Sequence, residues 1–102
     1  MLGDTKSERT AIARATLEVA IGQLVVTRKA LHRLEMSAWR QEDELADRAY
    51  ELRDAGDDVR SAGLLDQAEG AADEAATWAE IYDEVGLAMD NLRERTAALG
   101  GR

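Results

Sequence analysis

The chain has no cysteine, no proline and no phenylalanine, and only two tryptophans and two tyrosines in 102 residues. Without cysteine there is neither a disulfide framework nor a thiolate metal site. Without proline nothing removes a backbone donor inside a helix, so long unbroken helices are allowed. A third of the residues are charged (33%), and a chain below ~150 residues already buries a limited share of its surface. Oligomerisation is the natural remedy.

Basic residues are outnumbered, thirteen Lys and Arg against twenty-one Asp and Glu. The formal net charge is −8, and between Asp54 and Asp90 eleven acids face Arg60 alone. Nucleic-acid binding needs a basic patch to meet phosphates, and none of size is present. A long apolar run is also missing. Ala11–Val26 is interrupted by Arg14, Glu18 and Gln23 and falls short of the ~20 apolar residues that span a bilayer. The opening MLGDTKSERT lacks the basic-then-apolar pattern of a signal peptide. The expectation is a cytoplasmic protein with no membrane and no nucleic-acid partner.

What the chain does have is a ladder: Leu17, Leu24, Leu31, Ala38, Leu45 and Leu52, each seven residues from the last. An unbroken run of heptads predicts a long helix with one sustained seam, as in a coiled coil. A second set recurs at alternating spacings of four and three: Leu64, Ala68, Ala71, Ala75, Trp78, Tyr82, Val85, Met89, Leu92, Thr96 and Leu99. The fold class expected is all-α, a single domain over 1–102 formed by a long antiparallel helical hairpin. Helix 1 covers about 6–55, the turn about 55–58 and helix 2 about 59–99.

Local signals mark the ends. Thr5 and Glu8 have the spacing of a capping box. Gly56 can take the left-handed conformation that ends a helix, and Asp57 or Asp58 can cap the next one. Folding at this turn pairs residues whose numbers sum to about 116, as short-looped antiparallel helices do. Leu52 then meets Leu64, Leu45 meets Ala71, Ala38 meets Trp78, Leu34 meets Tyr82, Leu31 meets Val85, Leu24 meets Leu92 and Leu17 meets Leu99. The alternative is a break near Gly22 or Ser37, giving a three-helix bundle.

Two features predict that the hairpin does not stand alone. The seam is flanked by Ile21, Ala30, Ala49, Leu65, Ala72, Ala79, Ile81 and Ala88, where a two-helix coiled coil carries charges. Helix 1 also has a second apolar set: Ile12, Val19, Val25, Val26 and, further on, Trp39. Exposed apolar patches mark interfaces, and tryptophan is enriched at their energetic centres. A homodimeric four-helix bundle satisfies both features.

Candidate chemistry is thin. His32 and Glu35 form one His-x-x-Glu pair, without the further glutamates that a di-iron bundle needs. The Glu-x-x-Asp pairs Glu44/Asp47 and Glu80/Asp83 resemble the magnesium sites of the all-α nucleotide pyrophosphohydrolases, and that resemblance implies magnesium-dependent nucleotide hydrolysis. A solvated acidic face accounts for the same residues. In length, acidity and hairpin architecture the chain is similar to the Trp-x-Gly proteins exported by type VII secretion. Their defining turn is missing, since Trp39 is followed by Arg-Gln and Trp78 by Ala-Glu.

The function expected is therefore non-enzymatic, with no cofactor and no metal. The chain reads as a protein–protein interaction module (adaptor, scaffold, small chaperone or regulatory subunit). It would bind itself and, beyond that, another protein, through Ile12, Val19, Val25, Val26 and Trp39. A second reading is an acidic decoy that occupies a basic site on another protein through Asp57, Asp58, Asp66, Asp73 and Glu74.

Overall fold

The computed structural model describes residues 5–100. Two α-helices pack as a hairpin: α1 is Lys6–Asp54 and α2 is Asp58–Gly100. Both boundaries fall within a residue of those expected, and the side chains at the ends explain them. The Thr5 hydroxyl oxygen accepts from the Glu8 N–H at 3.1 Å, which satisfies one of the free donors at the start of α1. At the other end, the Asp57 N–H donates to the Leu52 carbonyl at 2.8 Å and the Gly56 N–H to the Arg53 carbonyl at 2.9 Å. With Gly56 at φ 89°, this is a Schellman motif, and glycine takes that conformation without a Cβ penalty. Asp57 then starts α2: its Oδ1 accepts from the Arg60 N–H at 3.1 Å, and its Oδ2 lies 3.4 Å from the Arg60 guanidinium.

The three-helix alternative does not occur. Helix α1 runs unbroken through Gly22 and Ser37 for 49 residues. With no proline and many strong helix formers, one interior glycine costs only about 1 kcal/mol against alanine.

All six ladder residues are buried or half-buried, and so is every member of the four-three set on α2. The α1 seam has a second rung, four residues after each of the first five ladder positions: Ile21, Arg28, Glu35, Glu42 and Ala49, again buried or half-buried. Leu34 stands three residues after Leu31, off the second rung, and is 45% exposed. The ring that meets Tyr82 is His32, at 5.7 Å between centroids. The overall register holds, because Arg28 over Gly86 and Arg14 over Gly100 also join residues numbered close to the expected sum.

The chain divides into two compact units: Met1–Lys29 with Asp83–Arg102, and Ala30–Tyr82. Within the second, the buried apolar residues are Leu31, Ala38, Ala49, Ala68, Ala71 and Ala75. A core made almost entirely of alanine lets two helices approach at the short end of the usual interaxial range. Among the described residues of the first unit the buried apolar side chain is Met89, and Leu17, Leu24, Val85, Leu92 and Leu99 are half-buried. Here Gly86 has a packing role. A Cβ at that position would come within 2.7 Å of the Arg28 guanidinium, so glycine makes room for an arginine that lies along the seam.

Candidate functional site

The site is built from the periodicity of α1. Ile12, Val19 and Val26 are seven residues apart, so they fall on one line along the helix. They stand two residues beyond the seam line of Leu17 and Leu24 and therefore look outward. Their exposures are 61%, 62% and 68%. Around them on the same face lie Ala15, Thr16, Gly22 and Gln23, all exposed and all uncharged. The Thr16 hydroxyl donates back to the Ile12 carbonyl at 2.9 Å, so it is satisfied within the helix. Charge lies at the ends of the face, with Glu8 and Arg9 before it and Lys29 after it, and on one flank beside Val19 at the exposed Glu18. Arg14 is drawn away to lie over Gly100.

Gly22 sits in the middle of this face. Its φ is not in the left-handed region, and a Cβ there would meet nothing within 4 Å. Nothing inside the hairpin requires glycine at this position.

The other sequence candidates divide. Val25 is half-buried and packs with the hairpin. Trp39 is 39% exposed and belongs to the other unit, where Met36 is also exposed at 49%. The structure thus gathers Ile12, Val19 and Val26, and it does not join Val25 to their outward line. Exposed apolar residues that the sequence reading passed over are Tyr50, Val59 and Leu87, while Leu65, read as a seam flank, is also exposed. Leu87 was findable, since it lies two residues beyond Val85 and so off the four-three line of α2.

Of the acidic set, Asp58, Asp66, Asp73 and Glu74 are exposed and Asp57 is half-buried. Two are already engaged: Asp57 caps α2, and Glu74 Oε1 accepts from the Trp78 indole N–H at 3.3 Å. Glu42 is the acid whose titration is altered. Its hydrogen bond with Asp43, some desolvation and the charges of Asp43 and Asp47 raise its carboxyl above the usual range, as like charges do.

The metal-site candidates stay apart. The His32 Nδ1 is 4.0 Å from Glu35 Oε1. Glu44, Asp47, Glu80 and Asp83 are exposed. Among the described residues no group of three or more His, Asp or Glu could hold a metal ion. A groove of about 720 Å³ is lined by Lys6, Thr10, Arg14 and Leu99 among others, and it offers no nucleophile–base pair. By length and composition alone, α1 contains one stretch apolar enough to cross a membrane, with mean hydropathy 1.2. Compared with protein-family models, curated proteins and solved structures, the chain matches none of them significantly.

Proposed function

We propose that this chain is a non-enzymatic protein–protein interaction module that acts in the cytoplasm and associates first with itself, as a homodimeric four-helix bundle. From that assembly it would serve another protein as adaptor, scaffold, small chaperone or regulatory subunit. No cofactor has a part in this reading.

The observation that carries it is the shortage of self-burial. The chain exposes 7510 Å², whereas a folded monomer of 11.2 kDa exposes about 5,700 Å². The excess, roughly 1,800 Å², exceeds the ~800 Å² per partner that a standard interface removes. The core tells the same story. Among the described residues no large side chain is fully buried, and five of the seven buried apolar residues are alanines. Two helices with so little interior gain most by covering each other's outer faces.

Dissociation should then be coupled to unfolding. The thermal midpoint is expected to rise as protein concentration is raised a hundredfold, because association with the folded state stabilises it by mass action. A midpoint independent of concentration would count against self-association.

The acidic-decoy reading ranks second. It is supported by the exposure of Asp58, Asp66 and Asp73 on α2, and weakened because Asp57 and Glu74 already have structural partners.

A further inference from the structure

We propose that two copies dimerise through α1, packed antiparallel on its counterpart, with the two-fold axis passing at Val19. This rests on the self-association reading and names its geometry. A two-fold interface is self-complementary: if one residue meets a second, the second meets the first. A line of three apolar residues at equal spacing meets that condition about its middle member. Val19 faces the partner's Val19, Ile12 faces the partner's Val26, and Val26 faces the partner's Ile12.

Charge selects this arrangement over the alternatives. The line continues along α1, at the same seven-residue spacing, as Arg33, Arg40 and Asp47. In a parallel pairing each of these would face its own like charge, which is unfavourable. Centring the axis on Val26 would set Val19 against Arg33 and Ile12 against Arg40. Centring it on Ile12 would set Val19 against Thr5, near the helix start. Only the axis at Val19 matches every apolar member with an apolar one, and it sets Arg33 against the partner's Thr5. It also opposes the two helix dipoles.

The surface between the rungs fits a close contact. Ala15, Thr16, Gly22 and Gln23 carry no charge, and Gly22 leaves open space where a side chain would stand. An antiparallel two-fold brings like flanks together, so Gly22 comes against the partner's Ala15, and its missing side chain admits the other helix. The surface that the chain exposes beyond the expectation for its mass is sufficient for a standard interface.

The absence of cysteine makes the test direct. Val19→Cys, Ile12→Cys and Val26→Cys are made singly and oxidised in dilute solution. A disulfide forms only where Cβ atoms approach to about 3.5–4.5 Å. Val19→Cys alone should cross-link most of the chain. Ile12→Cys and Val26→Cys should each give little alone, while a mixture of the two, one carrying a tag, should give the mixed dimer. Gly22→Leu, a change that favours the helix, should raise the dimer dissociation constant about tenfold or more by overpacking the contact. Cross-links in all three single variants would mean parallel pairing and overturn the inference. A dimeric mass with no cross-link at Val19 would overturn the geometry while leaving self-association standing. A monomeric mass would remove both. A chain that floats with phosphatidylcholine vesicles and gives no cross-link would assign the face to lipid instead.

Discussion

Val19→Asp is expected to leave the protein monomeric at concentrations where the parent chain is a dimer. The two-fold axis sets the new carboxylate against its own copy, beside the exposed Glu18. Two valines lose their burial, each worth about 1.5–3 kcal/mol when complete, and two like charges are brought together. A loss of about 3 kcal/mol is more than a hundredfold in dissociation constant, so sedimentation velocity at micromolar concentration will resolve it. The hairpin itself is little affected. Val19 is 62% exposed, and aspartate in a helix interior costs only up to about 0.7 kcal/mol. Leu87→Asp is the matched control. Leu87 is 69% exposed but lies off the proposed contact, and its variant should dimerise like the parent.

Ala75→Asp should have the opposite character: loss of the fold, not of the association alone. Ala75 is fully covered, at 0% exposure, within a layer that includes Ala68 and Ala71. A carboxylate there has no space and no water. Burying an unpaired charge is among the few single changes that cost well beyond the usual range. At least about 3 kcal/mol is expected, a large fraction of the 5–15 kcal/mol that holds a domain together. Circular dichroism should show the helical signal collapsing, or a urea midpoint shifted far down. Ala76→Asp, one residue on and exposed, should cost no more than about 1 kcal/mol, the helix propensity of aspartate and its neighbouring charges. If the two variants behaved alike, the alanine core would be wrongly placed.

Much of this architecture is written in spacing. The Leu17-to-Leu52 ladder fixes one line of the α1 seam because a seven-residue repeat keeps one side of a helix on one partner. The turn is legible for a different reason: Gly56 stands between acids, supplying a left-handed stop followed at once by a cap. The second seam line was not legible, because Arg28, Glu35 and Glu42 occupy it and charged residues ordinarily read as solvent-facing. Their place follows from geometry: each is four residues after a ladder residue, and long side chains can lie along a seam with their heads toward water.

Gly86 shows a further limit. In the sequence it is an interior helix glycine, which counts only as a cost. In the fold it clears the space taken by Arg28. Gly22 is the reverse case, since no intrachain neighbour explains it and the proposed contact does. For the candidate site, hydrophobic character picked out Ile12, Val19 and Val26. It also picked out Val25, which differs from Val26 only in direction around the helix, and one residue of rotation separates a flank that packs from a face that is exposed.

The most direct test of self-association is the absolute mass in solution, measured by light scattering at low and at high salt. The apolar face predicts twice the chain mass at both, because screening weakens charge pairs and not the burial of Ile12, Val19 and Val26. A single-chain mass at both salts would contradict the account and leave that face for a different occupant.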